Sequence, residues 1–417
     1  MTDRSLLVYI DIEEKPVLVG RLWARERRGR ETASFTYDET WLRSPERFAL
    51  EPALTLSAGD HHTPANKALF GALGDSAPDR WGRNLMRRAE RQRARREGRA
   101  PHTLLEIDYL LGVDDETRMG ALRFAEQPGG PFLASGGPAR VPPLIELPRL
   151  LSASERLADE DDDGDDDLRL LLAPGSSLGG ARPKASVRDR DGSLAIAKFP
   201  HKDDDLPVVP WEAAALRLAA KAGIAVPEAR VEQVVGKPVL VLRRFDRAGG
   251  QRVPFLSAMS MIGASDNEAH SYLEIADALR QHGAAPKEDL AGLWRRLLFS
   301  VLISNTDDHL RNHAFLYVAG GWRLSPAYDL NPVPTDIKAR VLSLAIDEED
   351  TTASFDVVME TAPYYGLTTG QARGIAIEVA AAVSDWRQEA ARVGLTSNQI
   401  GRMSSAFEHD DLRKATA

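Results

Sequence analysis

Cysteine is absent from the 417-residue chain. That excludes a disulfide framework, a thiolate nucleophile and any zinc or iron–sulfur site built on cysteine. Long apolar runs are missing too. None approaches the 18 or more residues of a membrane span, so no membrane partner is expected. The opening MTDRSLLVYIDIEEKP lacks the apolar core and cleavage site of an export signal, and a cytoplasmic location is expected. What is present describes a globular chain: 28% charged and 43% hydrophobic residues, at a length that calls for two or three subdomains.

Charge is segregated along the chain. The net charge is −9, but the tract DEDDDGDDD (Asp159–Asp167) alone holds eight acids, leaving the remainder close to neutral. Arginines gather in RWGRNLMRRAERQRARREGR, Arg80–Arg99. Such a block is a solvated helix face or a surface for polyanions. Asp159, Asp161, Asp163 and Gly164 match the start of a calcium loop, D-x-D-x-D-G. The twelfth position of that loop needs a bidentate glutamate, and Leu170 stands there. A looped acidic insert is the expectation.

LLVYIDI, VLVGRLWARE and ASFTYDE alternate apolar and polar residues as strands do. Helical texture runs from Asn66 to Arg99, through the turn GDSAPDRWG, and returns in LLEIDYLLGV before the strand-like GALRFAEQ. The Pro/Gly-rich stretch from Gln127 to Pro143 marks a linker. Beyond it PGSSLGGARPKASV leads into a strand carrying Lys198, LAIAKFP. Glu212 then opens a helix closed by Gly223, and PVLVLRRFDR is a strand over Pro238–Arg247. After Ser257 the pattern is mainly helical, except a hairpin around Gly320-Gly321. The expected segments are 1–143, 144–250 and 251–417.

The densest polar cluster follows the apolar run Leu297–Ile303: SNTDDHLRNHAFLY. Asp307 and Asn312 are five apart, the D-x-x-x-x-N spacing of a kinase catalytic loop. There the carboxylate takes or orients the substrate hydroxyl proton, and the amide oxygen ligates magnesium. Asp308 is out of that register, so its loss is expected to be the milder one. The following hairpin returns the chain to Asp329 in AYDLNP, a second oxygen ligand suited to magnesium. His309 and His313, four apart, could instead hold zinc on a helix. Leu310 replaces the glutamate of that pattern, however, and His313 opens a strand. Upstream, the turn GGARPKAS offers backbone amides and Lys184 to phosphates, although it fits neither common phosphate-loop pattern. Lys198 on its strand and Glu212 on the next helix complete the order that a phosphotransferase requires.

With APDRWGRNLM, LLGVDDETRMGALRF, SSLGGARPKA, LAIAKFP, VLRRFDR, NTDDHLRNHAFLY and LSPAYDLNP, the chain resembles the HipA-like serine/threonine kinases of bacterial toxin–antitoxin systems. The resemblance covers nearly the whole chain. It implies an α+β, protein-kinase-like two-lobed fold with an N-terminal β-rich, barrel-like module and a mainly helical C-terminal lobe. It implies transfer of the ATP γ-phosphate to a protein, with Asp307 as base, Asn312 and Asp329 on Mg²⁺, and Glu212 as an ion-pair support. Gly179, Gly180, Ala181, Arg182, Pro183, Lys184 and Lys198 would hold the nucleotide. Arg243, Arg244, Phe245, His309, Leu310, Arg311, Asn312, Tyr328 and Asp329 would hold it as well. Ser177 takes the place of the autophosphorylated serine, with Ser176 beside it. A translation component such as an aminoacyl-tRNA synthetase is the implied target. A small DNA-binding, HipB-like antitoxin is the implied partner, with DNA contact only through that complex. Two rivals stand beside this reading: a small-molecule phosphotransferase with the same Asp–Asn–Asp core, and a non-catalytic DNA-complex subunit using Arg80–Arg99.

Overall fold

The computed structural model describes residues 2–12, 15–135, 141–158, 165–172, 180 and 182–416. They fall into two compact units. One comprises Met1–Lys202 with Asp246–Leu256, the other Asp203–Phe245 with Ser257–Ala417. The chain therefore passes from unit to unit three times, and the units do not follow the three segments drawn from the sequence.

In the first unit, strands Thr2–Ile12, Lys15–Arg27, Arg30–Tyr37, Asp60–His62 and Leu122–Ala125 form one antiparallel sheet. Asp60–His62 and Leu122–Ala125 are its edges, so this is an open sheet, not the barrel-like closure expected. Gly20 has a packing reason. A Cβ there would come 2.3 Å from the Thr36 carbonyl oxygen and 2.6 Å from the Phe35 ring, which is impossible without displacing the neighbouring strand. The helix Arg80–Arg96 starts at Asp79, whose Oδ1 accepts from Gly82 N at 2.9 Å. The acidic tract is not loop throughout. Asp165–Leu172 is helical, because Leu168 and Leu171 bury their side chains and Asp167 pairs with Arg156 (2.5 Å).

The segment VLRRFDR is not one strand either. Pairing ends at Arg243, and the boundary between units falls between Phe245 and Asp246. Asp246 and Arg247 instead grip the turn Glu116–Gly120. Gly120 N donates to Asp246 (2.8 Å), and Arg247 donates to the carbonyls of Glu116, Arg118 and Gly120. Arg118 beside them is fully buried. It spends its guanidinium on the carbonyls of Leu110 (2.7 Å) and Val113 (2.9 Å), and burial pushes its pKa down to about 10.

The second unit is built on the helix Pro286–Leu302. Leu293, Trp294, Leu297, Leu298, Phe299, Val301 and Leu302 are buried at helical spacing. Each such side chain contributes about 1.5–3 kcal/mol by leaving water. The helix bearing Glu212 begins earlier than expected, at Val208, since Pro210 is tolerated in a first turn. Gly223, at φ +73°, closes it as anticipated. The hairpin Ala314–Val318/Gly321–Leu324 turns on Ala319-Gly320. Residues 327–354, expected to be helical, are irregular, and prolines 332 and 334 disfavour a helix in the first part of that stretch.

Candidate active site

The Pro286–Leu302 helix delivers the polar cluster. Directly beyond its end, Ser304 takes a left-handed conformation (φ 54°), and its hydroxyl donates to Ala406 O at 2.8 Å while accepting from Arg340 Nε at 3.0 Å. The Thr306 carbonyl is then held by Lys338 Nζ (3.0 Å) and Ser343 Oγ (3.1 Å). The next two carboxylates diverge. Asp307 is exposed, whereas Asp308 is buried.

Asp308 accepts from Ser300 Oγ at 2.8 Å and from the Tyr272 hydroxyl, and its other oxygen lies 3.0 Å from His313 Nε2. The imidazole approaches at ion-pair distance but without hydrogen-bond alignment, so the contact is chiefly electrostatic. Burial by itself pushes the Asp308 carboxyl up. The His313 charge and the converging donors outweigh that and hold it below the ordinary carboxylate range. Asn312 is buried as well and donates Nδ2 to the Asp307 carbonyl (3.1 Å), the amide orientation in which Oδ1 can face a cation.

The segment carrying Asp329 is fastened to this loop at three points. Tyr328 Oη donates to Arg311 O (2.7 Å), Asn331 N to Asn305 Oδ1 (3.2 Å), and Val333 N to Ser304 O (3.1 Å). Between those ties Asp329 sits at φ 57°, a left-handed conformation that aspartate tolerates better than most residues. Phe245 lies beside Tyr328, with ring centroids 5.5 Å apart. Thus the Asp307–Asn312 loop, the Asp329 segment and Phe245 share one unit. Asn312 and Asp329 carry hard oxygens, a donor type suited to magnesium.

Other expected residues have other surroundings. Arg243 is exposed and bonds Glu228 (3.2 Å); Arg244 and Glu212 are buried; Arg311 pairs with Asp266 at the surface; and Leu310 is buried. Lys198 belongs to the first unit, at the end of the strand Leu194–Lys198, and directly faces Lys184 of the strand Lys184–Arg188. Lys184, expected to meet phosphate, is buried in an ion pair with Asp79 (2.6 Å). Gly180, Arg182 and Pro183 are described, whereas Ser176, Ser177, Gly179 and Ala181 lie outside the described residues. Missed in the sequence were Tyr272, Ser300 and Asp79, because each reaches its partner only through the fold.

A family model described as "HipA-like C-terminal domain" matches residues 176–387, half of the chain, and spans Lys198, Glu212, Asp307, Asn312 and Asp329. A second, "HipA N-terminal domain", matches residues 10–109. The chain belongs to the HipA-like family. Its relatives include "Putative kinase Y4mE" of Sinorhizobium fredii, 27% identical over 79% of this chain and 77% of that one. A "Putative kinase" of Haemophilus influenzae is 27% identical over 41% of this chain and 58% of that one. Among solved structures, HipA in the Shewanella oneidensis toxin–antitoxin complex of HipA, HipB and operator DNA matches with a TM-score of 0.68. The match covers 99% of this chain and 96% of that one at 17% identity, and so carries the fold. The HipA-like fold is the α+β, protein-kinase-like two-lobed class expected from the sequence. No helix among the described residues is long and apolar enough to cross a membrane.

Proposed function

We propose that this HipA-like chain is a serine/threonine protein kinase, transferring the γ-phosphoryl group of ATP to a protein hydroxyl. The observation that carries the reading is the threefold fastening of the Asp329 segment to the loop of Asp307 and Asn312. It gathers a solvent-facing carboxylate, an oriented amide and a second carboxylate within one unit, the parts that a catalytic loop needs.

Asp307, exposed at the loop's tip, orients the substrate hydroxyl and takes its proton. Asn312 Oδ1 and the Asp329 carboxylate hold Mg²⁺. When bound, that ion supplies positive charge to the phosphate oxygens. Lys198 serves as the cation for phosphate charge, and Glu212 as the family's supporting acid. Lys184, committed to Asp79, acts as an anchor rather than a phosphate ligand. Arg243–Phe245 and Tyr328 face the base, and His309–Arg311 the phosphate side. Ser177 is the autophosphorylation site. A HipB-like DNA-binding antitoxin is the partner, a translation component the target, and the cytoplasm the location.

Incubation with labelled ATP, Mg²⁺ and a bacterial lysate, followed by identification of labelled proteins, tests this. Label on serine or threonine of a discrete protein is expected. Label confined to small molecules would overturn the protein-kinase reading in favour of a metabolite phosphotransferase.

A further inference from the structure

In an antiparallel pair, residues directly opposite project from the same face. Lys184 and Lys198 are such a pair, so two ammonium groups lie on one face of their hairpin, a destabilising arrangement unless one is neutralised. Asp79 neutralises Lys184. Its Oδ2 lies 2.6 Å from Lys184 Nζ, and both side chains are almost wholly buried. Asp79 also caps the Arg80–Arg96 helix through Oδ1, where the helix dipole favours a carboxylate. Hence one carboxylate serves the helix and the hairpin together.

Two residues on, the first turn of that helix repeats the connection. The Trp81 indole donates to Lys184 O (3.0 Å), and Trp81 N points to Gly180 O (3.4 Å). Lys184 Nζ also reaches Gly180 O at 3.3 Å. The glycine–proline turn is therefore tied at both ends, Gly180 and Lys184, to residues more than 95 positions earlier in the chain.

We infer that Asp79 and Trp81 are positioning residues for the nucleotide-phosphate turn. They hold the two ends of that turn, Gly180 and Lys184, in place. The inference rests on the phosphotransferase reading given above. A turn whose N–H groups must converge on phosphate loses affinity when its ends are released, and a charge-assisted hydrogen bond of this kind is worth about tenfold in an equilibrium constant.

Asp79→Asn and Trp81→Phe separate positioning from mere stability. Full-length wild type and both variants are titrated with Mg·ATP well below their melting temperatures, alongside amide hydrogen exchange of residues 180–184. For Asp79→Asn, weaker ATP binding of about tenfold is expected, with faster exchange confined to the turn. Trp81→Phe, which keeps the ring but loses the indole donor, is expected to show a smaller change of the same kind. Unchanged ATP affinity in both variants, or a loss that only follows the unfolded fraction, overturns the inference. Wild type that fails to bind ATP would instead overturn the phosphotransferase reading, and the exchange measurement still reads whether the turn is tied.

Discussion

His313 places Nε2 3.0 Å from the buried carboxylate of Asp308, while the neighbouring Asp307 stays exposed. The two acids of the doublet thus divide their work. One anchors the loop from below, and the other is presented to solvent. Replacing Asp308 leaves Tyr272, Ser300 and His313 facing an empty acceptor site, and breaking a buried pair costs about 3–5 kcal/mol. Asp308→Ala should therefore lower the melting temperature sharply. The milder outcome expected from register concerns phosphoryl transfer, whereas the cost here falls on stability. Thermal unfolding of Asp307→Ala and Asp308→Ala side by side checks it, with the Asp307 variant melting close to wild type.

Asp329 occupies a left-handed conformation that asparagine also tolerates. Asp329→Asn should thus keep the fold but remove a metal-binding charge, as Asn312→Ala removes an amide oxygen. Titration calorimetry with ATP, with and without Mg²⁺, is expected to show the metal's contribution reduced in both. A magnesium dependence equal to wild type would remove these two residues from the metal site.

Two buried groups make stability depend on pH in opposite senses. Burial pushes the Glu51 carboxyl, which accepts from Ala72 N (2.5 Å), up to about 7. The folded first unit then holds a proton that the unfolded chain has lost, so Glu51's contribution is full near pH 4.5 and fades as pH rises through 7. Glu51→Gln should melt like wild type at pH 5 and above it at pH 8. His409 is shifted down to about 4, by burial first and then by Arg340. Its Nε2 donates to Leu302 O (3.1 Å) and its Nδ1 accepts from Leu412 N (3.3 Å), a pattern only the neutral ring supports. Its contribution is present above pH 6.5 and lost as pH falls toward 4. A His409→Gln variant should flatten that acid limb of the melting curve.

Ser177 precedes the glycines of the phosphate turn. A phosphate there would add roughly −1.5 to −2 charges at pH 7, expected either to repel triphosphate or to draw the chain toward arginines elsewhere. Mass spectrometry after incubation with Mg²⁺ and ATP should find it in wild type and not in Asp307→Ala, together with a fall in ATP affinity. Modification without that fall would exclude a regulatory role.

Local pattern carried much of this account. The Asp307/Asn312 spacing, the Gly320 hairpin turn and Gly223 are short-range signals, and each depends on a few adjacent residues. What the linear chain concealed is long-range burial. Nothing in the text DD says which carboxylate turns inward, because Tyr272 and Ser300 decide it from 36 and 8 residues away. Likewise Lys184 reads as a free cation until Asp79, 105 positions upstream, is folded beside it. The division of the chain into units that interleave at Lys202, Phe245 and Leu256 is equally non-local.

Asp307 is the proposed base in phosphoryl transfer, and a single-turnover assay with γ-labelled ATP, Mg²⁺ and the protein target tests that role most directly. Asp307→Asn should bind ATP as wild type does and transfer label at least about a hundredfold more slowly, the usual contribution of a general base. Transfer by Asp307→Asn at the wild-type rate would contradict the account.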